Sequence, residues 1–121
     1  MKKRRILLVE DEELITMLHT KYIEQIGDFY INSTDNGEDA LIIAQKENPD
    51  LILMDIRING NMNGINTAIE LNKFLNTPIL FITGSSEQST LEKINSIKNS
   101  VGYLIKPIRR EDLKKSFENI F

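Results

Sequence analysis

Four places along this chain carry residue types that can manage an anion: the acidic pair Glu10 and Asp11, then Asp55, Thr83 and Lys106. Each follows directly on a run that reads as a β-strand: Ile6-Leu7-Leu8-Val9, Leu51-Ile52-Leu53-Met54, Ile79-Leu80-Phe81-Ile82 and Val101-Gly102-Tyr103-Leu104-Ile105. The continuous apolar runs predict strands covered on both faces, hence a parallel sheet. All carboxyl ends of a parallel sheet share one edge, and ligands bind there. If the first and third strands are neighbours, roughly 5 Å apart, Asp11 and Asp55 face each other across one crevice. Their repulsion would raise both pKa values unless a cation intervened. A hard divalent ion, Mg²⁺ or Mn²⁺, meets that need through oxygen ligands. Metal and Lys106 ammonium together can then receive the equatorial oxygens of a phosphoryl group, and a carboxylate nucleophile gives an acyl phosphate. Thr83 can donate to such an oxygen, with Gly84 leaving the approach open. Taken singly, each acid has a plainer role capping the next helix, Thr83 another as a cap and Lys106 a third as a solvated turn residue. Their convergence on one predicted edge is what points to chemistry.

The elements that must position these residues alternate regularly. Leu14, Leu18, Tyr22 and Ile26, broadened by Ile15 and Met17, predict a first helix that Asp11 or Glu12 favours at its start and Gly27 ends. Phe29-Tyr30-Ile31 reads as a short second strand, and Ser33-Thr34-Asp35 as the cap region of a helix carried by Ala40, Leu41, Ile43 and Ala44. Asn48-Pro49 terminates that helix. After Asp55 a polar loop, Asn59-Gly60-Asn61-Met62-Asn63-Gly64, leads to a helix with Ile65, Ala68, Ile69, Leu71 and Leu75. Leu91, Ile94 and Ile97 form a narrow stripe in the fourth helix, whose many Ser, Asn and Gln residues make it the weakest. The fifth helix shows Leu113, Phe117, Ile120 and Phe121, with Glu111 and Asp112 in its first turn. Five strands alternating with five helices, joined by right-handed crossovers, predict an α/β doubly wound parallel sheet.

At 121 residues there is room for one domain, taken as 1–121. Fifteen Lys and Arg against 18 Asp and Glu give a net charge of −3, which offers little attraction to a nucleic-acid backbone. The basic run Lys2, Lys3, Arg4, Arg5 abuts the first strand and reads as its solvated start. Cysteine is absent, so thiolate metal sites are excluded; the single histidine, His19, suits a surface or helix-packing role better than ligation. No apolar run approaches the roughly 20 residues needed to span a bilayer, so no membrane role and a cytoplasmic location are expected. No residues remain for a helix-turn-helix, so direct DNA binding is not expected either.

The chain resembles the receiver domain of two-component response regulators over nearly its whole length. The family places an acidic pair after the first strand, a phosphoacceptor Asp at the end of the third, Thr or Ser at the end of the fourth and Lys-Pro after the fifth. Here these are Glu10 and Asp11, Asp55, Thr83, and Lys106-Pro107. The resemblance implies a flavodoxin-like (β/α)5 fold of strand order 2-1-3-4-5. It implies Mg²⁺ (Mn²⁺ as substitute) held by Asp11, Asp55 and the Arg57 backbone carbonyl, with Glu10 acting through bridging water. It implies that Lys106 pairs with Asp55 and then with phosphate, through a Lys106-Pro107 bond that is often cis. The donor would be a phosphohistidine on a sensor histidine kinase or histidine phosphotransfer protein, or a small molecule such as acetyl phosphate. Thr83 and Tyr103 match the family's switch residues, implying a change on the face of the fourth helix, fifth strand and fifth helix, where partner binding or homodimerisation is expected. Arg57 and Ser85 fall at positions that influence dephosphorylation.

One departure concerns the loop after Asp55: Asn59 stands where a proline is usual and Gly64 comes one residue late. Asn59-Gly60 is expected to absorb that residue in a tight turn. The expected activity is self-catalysed transfer onto Asp55 with slow autodephosphorylation, rather than turnover of an external substrate. Three alternatives remain. An aspartyl-phosphate hydrolase would need a second aspartate where Arg57 stands. A flavin-binding module would need a hydroxyl-rich phosphate loop after the first strand. A degenerate receiver, acting as a phosphorylation-independent interaction domain, would not need the complete acidic, hydroxyl and lysine set.

Overall fold

The computed structural model describes residues 3–121; Lys2 of the basic run lies outside them. Ten elements alternate without exception: β1 (Arg4–Val9), α1 (Glu13–Ile26), β2 (Phe29–Thr34), α2 (Gly37–Glu47), β3 (Leu51–Asp55), α3 (Gly64–Leu71), β4 (Ile79–Thr83), α4 (Gln88–Ser96), β5 (Ser100–Ile105) and α5 (Arg110–Ile120). The strands form one parallel sheet in the order β2-β1-β3-β4-β5. This is the doubly wound, flavodoxin-like (β/α)5 fold.

The uninterrupted apolar runs feed two cores because successive side chains leave opposite faces of a strand. Leu7, Val9, Ile52, Met54 and Phe81 pack against Ala40 and Ala44 of α2, Ala68 and Leu71 of α3 and Ile94 of α4. Ile6, Leu8, Leu51, Leu53, Leu80 and Ile82 pack on the other face against Ile23 of α1 and Leu113 and Phe117 of α5. β3 and β4 are buried at every position, whereas the edge strands β2 and β5 are only half covered.

Register brings the strand ends level. Val9 pairs with Met54, which sets Glu10 beside Asp55, and Thr83 pairs with Ile105, which sets Lys106 one step past it. The Lys106 N–H continues that ladder, donating to the Thr83 carbonyl at 2.8 Å. The Lys106–Pro107 peptide is cis.

Three expectations are corrected. The α1 stripe is rotated: Leu14 (78% exposed), Met17 (61%) and Leu18 (41%) face outward, while His19 and Ile23 are buried with Tyr22 and Ile26 partly covered beside them. Too many apolar residues ring this helix for periodicity to fix its phase. β2 runs on to Thr34, because its later residues pair with Leu8 and Val9, and the α2 cap is Asn36, whose side chain accepts the Asp39 N–H at 2.8 Å. In α3, Ile69 lies 45% exposed, and Thr67 is buried through a hydroxyl that donates to the Asn63 carbonyl at 2.8 Å.

Candidate functional site: an acidic cleft at the carboxyl edge of the sheet

The carboxyl edge between β1, β3 and β4 opens into a cleft of about 600 Å³ lined by Asp11, Asp55, Arg57, Thr83, Ser85 and Lys106, among others. Strand termini deliver these groups: Asp55 and Thr83 are the last residues of β3 and β4, and Glu10 and Lys106 the first beyond β1 and β5. Glu10, Asp11 and Asp55 each offer a carboxylate oxygen within 4.8 Å of the other two. Glu10 and Asp55 are buried, and Asp11 is half-buried.

Lys106 spans two of the three acids. Its Nζ donates to Glu10 Oε1 at 2.8 Å and to Asp55 Oδ2 at 2.7 Å. The remaining oxygens have backbone donors: the Glu12 N–H reaches Glu10 Oε2 at 3.1 Å, and the Arg57 N–H reaches Asp55 Oδ1 at 3.2 Å. The Glu12 bond means that Glu10, rather than Asp11 or Glu12, supplies the acceptor at the start of α1; the Glu12 side chain makes no cap. Thr83 Oγ1 accepts the Ser85 N–H at 3.0 Å, which leaves its own proton free to be donated. Gly64 packs against the backbone of Asp55, whose carbonyl an added Cβ would collide with; its N–H donates to the Ile56 carbonyl at 2.7 Å.

Three formal negative charges against one ammonium leave a deficit that a divalent cation cancels, and the donors are all hard oxygens, the set such an ion takes. Glu10 answers the imbalance by holding its proton. Burial pushes the Glu10 carboxyl up to about 7, opposed by its bonds from Lys106 and the Glu12 N–H and reinforced by Asp55. Burial acts to lower the Lys106 ammonium, but its bonds to Asp55 and Glu10 outweigh burial and leave it raised, so it stays charged. The cleft is thus suited to a divalent cation and, beside it, to further anionic oxygens.

Residues 6–118 match the response regulator receiver domain family. The chain belongs to that family. This receiver is 30% identical over 115 residues to the transcriptional regulatory protein PdtaR of Mycobacterium tuberculosis, covering 95% of its own length and 55% of that protein. It is 30% identical over 119 residues to protein PilH of Pseudomonas aeruginosa, covering 96% of each. Among solved structures, the signal receiver domain of a modulated diguanylate cyclase from Desulfovibrio desulfuricans superposes with a TM-score of 0.87 at 34% identity, over 98% of this chain and 94% of that one. The chain spans about half the length of PdtaR and of the Pseudomonas alginate biosynthesis regulator. In the receiver, Tyr103 lies apart from the cleft, half-buried on β5 against the core that holds Ile94 and Phe81.

The sequence pattern did not single out Glu87 and Thr90, which line the cleft from the start of α4. Their one signal was position, a few residues past the end of β4. Nor did it place His19 behind the site. His19 is buried beside Lys106, Pro107 and Ile108 with its Nδ1 unpaired, and burial, then the Lys106 charge, lower its pKa to about 4.

Proposed function

We propose that this receiver accepts a phosphoryl group from a phosphohistidine donor onto Asp55 in a Mg²⁺-dependent reaction, and thereby changes a partner-binding surface. The observation that supports it most is the single ammonium of Lys106 bridging buried Glu10 and Asp55 beside a third carboxylate. Glu10, Asp11, Asp55 and the Arg57 carbonyl would hold Mg²⁺, which supplies charge neutralisation for the entering oxygens. An Asp55 carboxylate oxygen attacks phosphorus, the phosphorus–nitrogen bond of the donor breaks, and its electron pair returns to the imidazole. Lys106 redirects a donor from the Asp55 carboxylate to the arriving phosphoryl oxygens, and the Thr83 hydroxyl donates a hydrogen bond to another. A Thr83 drawn toward phosphate, followed by Tyr103, would remodel the α4–β5–α5 face for a partner or a second copy.

The donor must reach Asp55 over the rim of the cleft. Leu14, Met17 and Leu18 are exposed on α1, the helix that follows Glu10 and Asp11, and Leu18 also lines a pocket of about 300 Å³ with Ile15, His19, Lys106, Pro107 and Ile108. An apolar helix face of a kinase or phosphotransfer protein fits it, and such donors work in the cytoplasm. The residue two past Asp55 is Arg57, which cannot act as general acid at neutral pH, so slow autodephosphorylation rather than hydrolytic turnover is the expected outcome.

Intact mass after incubation with acetyl phosphate tests this reading. One phosphate adduct is expected, requiring Mg²⁺ and absent in Asp55→Asn. Equal adduct in the variant would move the acceptor elsewhere.

A further inference from the structure

The loop between β3 and α3 has two attachments. At its root the Gly64 N–H donates to the Ile56 carbonyl. At its tip it is fastened to the start of α2. Asn59 forms an isolated parallel bridge with Asn36, and its N–H donates to the Asp35 carbonyl at 3.0 Å. Its side-chain amide donates to Asp35 Oδ2 at 3.3 Å, and the Asn61 N–H donates to Glu38 Oε1 at 2.9 Å.

Between them Gly60 adopts φ +91°, a conformation that side-chain-bearing residues rarely take, and an added Cβ would collide with the Glu38 carboxylate. The backbone turn at Gly60 therefore favours glycine, and the Glu38 carboxylate sits directly against it. Underneath, Met62 and Thr67 lie against Gly37, leaving no room there for a side chain either.

These attachments bear on the site through chain geometry. Arg57 is two residues before Asn59 and two after Asp55, and its N–H already holds Asp55 Oδ1. Arg57, Asn59, Gly60 and Asn61 are exposed, so little of the loop's own burial would keep it still. Its outer attachments are to Asp35, just before α2, and to Glu38 in the first turn of α2.

We propose that Asp35 and Glu38 are positioning residues for cation binding: by fastening Asn59 and Asn61 to α2 they hold the loop so that the Arg57 carbonyl stays in place beside Asp55. This rests on the cation reading above and extends it to an element that touches neither metal nor phosphate. A proline at position 59 would forfeit the N–H that the Asp35 carbonyl accepts, so this attachment depends on a residue with a backbone donor there. Linkage makes the effect reciprocal: a cation that prefers the fastened loop must itself tighten the fastening.

Two measurements on the full chain test it, neither requiring phosphorylation. Mg²⁺ affinity is read by titration calorimetry for the unmodified chain, Glu38→Ala and Glu38→Gln. Glu38→Ala is expected to weaken Mg²⁺ by about tenfold, the scale of removing a group that orients a ligand. Glu38→Gln keeps an amide oxygen for the Asn61 N–H and is expected to retain affinity within about twofold. Amide exchange at Asn59 and Asn61 should slow when Mg²⁺ is added, and in the metal-free chain the Asn61 amide should exchange faster in Glu38→Ala. Equal Mg²⁺ affinity in all three chains would overturn the positioning role while leaving the cation site standing. Weaker binding by Glu38→Gln matching that of Glu38→Ala would assign the effect to carboxylate charge and overturn it too. If the unmodified chain bound no Mg²⁺, the cation reading and this one would fall together.

Discussion

Both ends of the sheet are charged, and they behave in opposite ways. At the amino edge, Lys3 pairs with Asp28 at 3.0 Å with side chains 55% and 82% exposed, and the Arg4 and Arg5 guanidiniums lie 4.6 and 5.2 Å from the rings of Phe121 and Tyr30. At the carboxyl edge, one lysine with its side chain 21% exposed meets two carboxylates that are 2% and 7% exposed. Water screens the first set, so each charge there is nearly indifferent to its neighbour. The second set is desolvated, so its charges must be compensated within the protein, by a proton, an ammonium or a cation. Burial, rather than the number of ion pairs, separates a soluble rim from a site that can take up a metal and phosphate.

Replacing Lys106 by Met should break this contrast most severely. It leaves Glu10 and Asp55 without their shared donor, and the metal-free chain should lose about 2 kcal/mol in urea unfolding at pH 8, below the cost of a fully buried pair because Lys106 is part-exposed. Phosphate adduct formation should slow by about 100-fold, the scale of losing one preorganised donor to a developing charge.

A smaller and more diagnostic change is Glu10→Gln. The Glu10 pKa rises on folding from 4.5 to about 7, so the folded chain holds that proton more tightly than the unfolded one. Its stabilisation is complete below pH 4.5 and is lost as pH rises toward 7. His19 runs the other way: its pKa falls from 6.5 to about 4, so its contribution is present above pH 6.5 and lost as pH drops toward 4. A melting curve of the unmodified chain alone would mix the two. The melting temperature of Glu10→Gln minus that of the unmodified chain should climb between pH 4.5 and 7 without metal, and saturating Mg²⁺ should flatten that climb. A flat difference without metal would show that Glu10 is not the group storing the proton.

The smallest effect is expected at the other edge. Lys3→Ala or Asp28→Ala should change stability by less than about 0.5 kcal/mol and leave Mg²⁺ affinity and adduct yield unaltered. A large loss there would mean that the amino edge is energetically coupled to the site, and the contrast would need redrawing.

Much of this was legible from residues alone. Ile6-Leu7-Leu8-Val9 and Leu51-Ile52-Leu53-Met54 announce strands buried on both faces, and their ends name the edge where polar residues gather. The phase of α1 was not legible, because Leu14, Ile15, Met17, Leu18, Tyr22, Ile23 and Ile26 offer more than one apolar face, and only the sheet and α5 select Ile23 for burial. The end of β2 is hidden because Ser33 and Thr34 look like the cap region of a helix until Leu8 and Val9 are seen to pair with them. Asn59 and Gly60 advertised a turn, but nothing local linked them to Asp35 and Glu38, more than twenty residues earlier.

The order of residues alone specifies the alternation of strands and helices, the two-sided cover of the central strands and the identity of the groups at their ends. Those are properties of neighbouring residues, set by side-chain period and by where apolar runs stop. Folding in three dimensions is what makes one ammonium serve two acids, pushes the Glu10 carboxyl up to about 7, buries His19 beside Lys106 and ties the loop after Asp55 to the start of α2. Each depends on distance and desolvation between segments far apart in the chain, which no local pattern encodes.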